Sequence, residues 1–165
     1  MTSVITNSFK IASGEYARIL FRIFANKWWW VFAIVVIGIF SLSVLNINFI
    51  YVALMVMFII IPMIMSFLYI VYGLVPESRL SILAKSAIIN CDELELHFED
   101  ENGNLVKVEH ILLESFSRYV PQKKWLLLFY KGSNYRFFII PYDAFKSVED
   151  LRITIGVLRK KLVAE

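Results

Sequence analysis

Histidine is the side chain whose ordinary pKa lies closest to neutrality, so His97 and His110 are the first places to look for acid–base or metal chemistry in this chain. His97 sits in Glu93-Leu94-Glu95-Leu96-His97-Phe98-Glu99, where polar and apolar residues alternate. A period of two places Glu93, Glu95, His97 and Glu99 on one face of a strand and Leu94, Leu96 and Phe98 on the other. His110 lies just beyond the returning strand. Neither histidine has a ligand partner beside it at the sequence spacing of a zinc motif, so both are expected as ordinary polar residues and no metal site is expected. Glu99-Asp100-Glu101 lacks the patterned oxygen ligands and distal bidentate glutamate of a calcium loop and reads as a solvated turn. Cys91 is the single cysteine, which excludes an intramolecular disulfide and a cysteine-based zinc site. No phosphate-cradling glycine loop and no G-x-S-x-G occur. Lys123-Lys124 is an isolated basic pair, whereas a nucleic-acid interface needs a basic face. These residues predict no catalytic site, no enzyme, no cofactor and no nucleic-acid partner.

The elements that must position these residues lie in the second half of the chain. Residues 76–87 are expected as a connector and residues 88–165 as an α+β domain. After the Glu93–Glu99 strand, Asp100-Glu101-Asn102-Gly103 is a turn in which Asn-Gly is a strong hairpin signal, and Leu105, Val106 and Val108 return. A further strand is expected over about residues 112–120. Trp125–Tyr130 and Tyr135–Ile140 flank Lys131-Gly132-Ser133-Asn134, a second hairpin that is apolar on both faces and is therefore expected to be central or to touch a membrane. Pro141 ends it. Ser147 with Asp150 fits a capping box that opens a last helix. Val148, Leu151, Ile155, Leu158 and Leu162 then step by three and four, an apolar stripe. Arg159, Lys160 and Lys161 fall in the last turn, where they complement the helix dipole and are candidate lipid-headgroup contacts. A run of antiparallel strands closed by one helix is the order of a pleckstrin-homology-like (PH-like) sheet or partial barrel.

The first half is different in kind. No Asp, Glu, Lys or Arg occurs in residues 28–76. The whole chain is 59% hydrophobic and 19% charged, whereas soluble domains are roughly 45–50% apolar and about 25% charged. The excess predicts a two-helix transmembrane hairpin over residues 28–75, with spans at about 28–45 and 49–75 joined at Asn46-Ile47-Asn48. The first span reaches about 27 Å and the second about 40 Å, so the second must tilt, kink or protrude. Pro62 removes a backbone donor and frees the carbonyl of Phe58, which predicts a kink. Spans joined this tightly are antiparallel neighbours, which sets Trp28, Trp29 and Trp30 at the same face as Tyr69 and Tyr72, as an interfacial aromatic belt. Ser41-Leu42-Ser43 resembles a small-x-small cleavage site, but a second apolar span follows at once, so a retained anchor is expected. The absence of ionisable groups in either span argues against a pump or transporter.

Orientation follows from basic residues. The turn has none, Arg18, Arg22 and Lys27 precede the first span, and Arg79 and Lys85 follow the second. Both termini are expected in the cytoplasm, in a multi-pass protein of the inner (cytoplasmic) membrane. In the leader, residues 1–27, Tyr16, Ile19, Leu20, Ile23 and Phe24 recur at helical spacing, with Arg18 and Arg22 on another face. That helix either lies along the membrane, with Arg18, Arg22 and Lys27 as candidate headgroup contacts, or packs on the soluble domain.

The whole layout resembles the YcxB-like family of small bacterial membrane proteins. The most telling stretch is Phe138-Ile139-Ile140-Pro141-Tyr142-Asp143-Ala144-Phe145 followed by Ser147 and Glu149-Asp150, where the family has an Ile-Pro-Lys-x-x-Phe phrase leading into its last helix. Trp125–Tyr130 stands in the place of its preceding hydrophobic strand. The resemblance implies a PH-like cytoplasmic domain, with Pro141 and Phe145 shaping the strand-to-helix corner, and implies no established catalytic activity. Tyr142-Asp143 replaces the basic residue that usually follows the proline, so any headgroup contact made by that base is not expected here. The sequence thus predicts a non-enzymatic membrane protein that anchors a binding module for a protein, a peptide or lipid headgroups. The alternative is a small oligomeric membrane-active effector or channel subunit, regulated by its cytoplasmic domain.

Overall fold

The computed structural model describes residues 3–100 and 104–164. The chain divides into two compact units, Gly14–Val75 and Met1–Ser13 together with Pro76–Glu165.

The first unit is helical. α1 spans Ser13–Leu42 without interruption. The leader and the first apolar span, expected to be separate at Lys27, are therefore one helix. Neither proline nor a capping signal falls between them, so nothing in the backbone stops the hydrogen-bond ladder. Tyr16, Ile19 and Leu20 are buried on α1, while Arg18, Arg22 and Lys27 are exposed. Ser41 and Ser43 donate their hydroxyls to the carbonyls of Ile37 and Phe40, so both are satisfied by the last turns of the helix. At the turn, the Asn46 side chain accepts the Asn48 N–H at 2.9 Å.

A second continuous helix runs over Asn48–Gly73. It comprises α2 (Asn48–Met55), a π-helical turn (Val56–Ile60), α3 (Ile61–Leu68) and a second π-helical turn (Tyr69–Gly73). Pro62 stands in the first turn of α3. Its ring crowds the carbonyl four residues earlier and it offers no N–H, and the wider π turn around Phe58 accommodates both defects. At Gly73 a Cβ would lie 2.7 Å from the Tyr69 ring, so glycine lets that ring lie against the backbone.

The second unit is α+β. α4 (Pro76–Ile82) opens it and is followed by β2 (Lys85–Ile89), β3 (Glu93–Glu99) and β4 (Leu105–Leu112). β1 (Val4–Ile5) pairs antiparallel with β2, with Val4 opposite Ile89. These four strands form one sheet in the order β1-β2-β3-β4. A 3₁₀ turn at Leu113–Ser115 then leads into β5 (Phe116–Pro121), β6 (Trp125–Tyr130) and β7 (Phe137–Pro141). After α5 (Val148–Lys161), β8 (Val163–Ala164) runs parallel to β5. The second sheet has the order β7-β6-β5-β8.

Several expectations change. The segment 76–87 is not a bare connector but helix α4 and the start of β2, so the domain begins before residue 88. The leader is split, because Val4–Ile5 closes the edge of the first sheet. The strand expected over 112–120 is interrupted by the turn at Leu113, where a fully buried leucine marks the crossing from one sheet to the other. Among the described residues the strands make two four-stranded sheets and no closed barrel. Residues 101–103 of the expected Asp100–Gly103 turn lie outside the described residues.

Alternation decides the burial of β3. Leu94, Leu96 and Phe98 are buried while Glu93, Glu95, His97 and Glu99 are partly exposed. β6 and β7 obey the other rule. Leu126 to Phe129 and Phe137 to Ile140 are all buried, so this hairpin is covered on both faces by protein. α4 covers the outer edge of β7, with the Ser81 hydroxyl donating to the carbonyl of Phe137 at 3.2 Å and Arg136 facing Glu77 at 3.4 Å. One carbonyl of this edge strand is thereby satisfied and the edge is covered. Ser147 caps α5, accepting the Asp150 N–H at 3.1 Å. The buried face of α5 holds Thr154 and Leu158, followed by Leu162 in its C-cap, whereas Val148 is 71% exposed and does not join the stripe.

Candidate functional site

Two clusters of ionisable side chains stand out in the α+β unit. The first centres on Lys85, at the start of β2. The lysine is 0% exposed. Its Nζ donates to the carbonyls of Ser81 at 2.9 Å and Leu83 at 3.0 Å, which α4 leaves open at its C-terminus. The same Nζ lies 4.8 Å from the ring centroid of Phe9 and 5.2 Å from that of Phe138. Backbone bonds between Phe9 and Lys85 run in both directions, at 2.8 and 3.0 Å. One ammonium group therefore ties the N-terminal segment, α4, β2 and β7 together. Burial pushes its pKa down to about 7. An amine so tuned could act as a base or nucleophile, but this one is enclosed and its protons are directed at carbonyls. It works as a helix cap and a joint.

The second cluster lies on the polar face of β3. Glu95 pairs with His110 of β4, and Glu93 with Leu112. The His110 Nδ1 lies 3.4 Å from the Glu93 carboxylate, and the His97 Nε2 lies 3.6 Å from that of Glu95. Asn90 donates to the other Glu95 oxygen at 2.8 Å. Sequence spacing alone left His110 without a partner, because its neighbours are supplied by strand register. The register runs evenly from Glu93 opposite Leu112 to Phe98 opposite Lys107 and shifts at a bulge before Glu99 opposite Leu105, so the Asn-Gly signal predicts a hairpin here but not which residue stands opposite Glu95.

The residues singled out from sequence are distributed as follows. Trp28, Trp29 and Trp30 are exposed on α1 at 40%, 63% and 53%. Tyr69 and Tyr72 are half-buried in the second π turn. Among the basic residues of α5, Arg159 and Lys160 are exposed, while Lys161 donates to Asp92 at 2.6 Å. That hydrogen bond and the aspartate charge hold the Lys161 pKa above its ordinary value. Pro141 and Phe145 are buried on either side of a 3₁₀ turn at Tyr142–Ala144, which redirects the chain from β7 towards α5. Sequence reading counted Lys85 only as a basic residue flanking the second span and missed its burial, because a lone lysine after an apolar span carries no local sign of it.

Two helices, Ser13–Leu42 and Asn48–Gly73, are long and apolar enough to cross a membrane. Their apolar side chains are turned outward, with Ile34 62%, Phe58 72% and Phe67 64% exposed. No protein-family model, no curated protein and no solved structure matches this chain.

Proposed function

We propose that the chain is a multi-pass protein of the inner membrane whose helical unit anchors a cytoplasmic PH-like module, and that the module binds a protein, a peptide or lipid headgroups. The observation that carries this reading is the exposure of the two apolar helices. A core helix of a soluble protein buries its apolar surface, whereas the most hydrophobic windows of these two are 0% and 6% buried. That much apolar surface facing water is unfavourable by about 25 cal/mol per Å², and hydrocarbon removes the penalty. The basic residues flanking the helices favour cytoplasmic termini. The overall layout favours a YcxB-like relationship, and the strand-rich unit, with no catalytic constellation among its described residues, suits binding rather than turnover.

The test has two arms. Membranes containing the full-length protein are washed with alkaline carbonate, and the protein is expected to stay in the pellet. Recovery in the supernatant removes the anchor. Partners are then captured from detergent extracts with the full-length chain and with a chain ending at Val75. Partners that bind only the full-length chain support the module, and an identical set with both removes it.

The second reading, a channel-like or membrane-active subunit, is favoured by the two π turns in the second helix, since such turns are frequent at functional sites. Conductance in proteoliposomes supports it, and silence across voltages and pH retires it.

A further inference from the structure

The outer face of the first sheet is where three metal-ligating side chains converge among the described residues. One ligand atom each from Glu93, Glu95 and His110 lies within 4.8 Å of the others. We propose that Glu93, Glu95 and His110 form a binding site for a divalent transition metal, zinc being the best match, with His97 closing it as the fourth ligand.

The backbone builds this cluster. Glu93, Glu95 and His97 alternate along β3 and so share a face, and β4 brings His110 directly opposite Glu95. The separations have a metal-site scale. The pairs at 3.4 and 3.6 Å are longer than an ordinary N–H···O bond of about 2.9–3.0 Å. Tetrahedral zinc, with bonds of about 2.0–2.1 Å, holds neighbouring ligand atoms roughly 3.3–3.4 Å apart. The ligand atoms of Glu93, Glu95 and His110 already lie close together, and His97, which faces Glu95, must turn towards them to complete the set.

Two further observations point to a ligand. The Nε2 atom of His97 is buried and has no hydrogen-bond partner, although it faces Glu95. A buried nitrogen left this way is costly, and a cation beside it would engage its lone pair. Asn90 meanwhile holds one oxygen of Glu95 and leaves the other towards His97. That is how an outer hydrogen bond orients a metal-binding carboxylate.

The donor set selects the ion. Two carboxylates and two imidazoles are a nitrogen–oxygen set suited to zinc and its neighbours, whereas calcium requires six to eight oxygens. The two carboxylates neutralise a doubly charged ion. The His110 side chain is 58% exposed, so the ion enters directly from solvent. Once bound, it crosslinks β3 to the edge strand β4, and the module gains stability with ion concentration.

The test uses tag-free, full-length protein in detergent, stripped of metal and titrated with zinc chloride by calorimetry. One zinc per chain and a raised melting temperature are expected. The Glu95→Gln/His110→Ala double variant should lose saturable binding, and Asn90→Ala should weaken it by about 10–100-fold. Glu109→Gln, on the opposite face of β4, should bind like the parent. Far-UV circular dichroism checks the metal-free fold of each variant, and His110→Gln alone, at an exposed position, serves if the double variant does not fold. Absence of stoichiometric binding by the parent, or undiminished binding by a folded double or His110→Gln variant, overturns the proposal.

Discussion

Two apolar regions of this chain have opposite surroundings. In β6 and β7 every side chain from Leu126 to Phe129 and from Phe137 to Ile140 is buried by the protein itself. Along Asn48–Gly73, a helix of comparable hydrophobicity leaves Tyr51, Phe58, Met63 and Phe67 more than 60% exposed. The difference teaches that hydrophobicity specifies removal from water but not what replaces the water. A strand pair six residues deep can be covered by neighbouring strands and short helices. A 26-residue helix with apolar residues all round it has more surface than a unit of this size can cover.

The sharpest way to probe that contrast is to truncate an aromatic side chain in each region. Phe138→Ala leaves a cavity in the second sheet and should cost about 3–5 kcal/mol, read as lost hydrogen-exchange protection of the β6–β7 amides. Retention of full protection would mean that this hairpin is not the core of its unit.

Lys85 gives the next largest effect, and it depends on pH. The unfolded lysine titrates near its ordinary value of 10.5, and the folded one at about 7. Between those values the unfolded state binds more protons, so stability should rise as pH increases from about 7 to about 10.5, by a few kcal/mol at most. Below pH 7 both states are protonated and the slope vanishes. Lys85→Met should abolish the slope while leaving the carbonyls of Ser81 and Leu83 without a donor, at a cost of about 1–3 kcal/mol. Denaturant unfolding across that pH range reads both.

Smaller effects follow. Ser147→Ala removes the cap of α5 and should cost about 1 kcal/mol in the same unfolding assay. Phe58→Ala, on the exposed surface of the second helix, should change the stability of the α+β unit by no more than about 0.5 kcal/mol. A large loss there would mean that Phe58 supports the fold rather than facing its surroundings.

What was legible in sequence tracks the range of the interactions involved. The charge-free stretch, the alternation of β3, the Ser147 cap and the two hairpins are local patterns, and each is present in the fold. β1 was not legible, because two residues find β2 across some eighty positions of chain. α4 is too short for a clear periodicity and was read as a connector. The burial of Lys85 depends on Phe9 and Phe138, which are remote in sequence. The Glu95–His110 pair was half legible, since the Asn-Gly signal predicts the hairpin, but a bulge between Phe98 and Glu99 shifts its register and the histidines were weighed one at a time.

The central claim is that the two apolar helices cross a bilayer and leave the α+β unit on the cytoplasmic side. Cys91, the single cysteine, is exposed in the turn between β2 and β3 and makes a native reporter of that position. A membrane-impermeant maleimide should label it in inverted membrane vesicles and leave it unlabelled in intact cells. Labelling from outside intact cells would contradict the account.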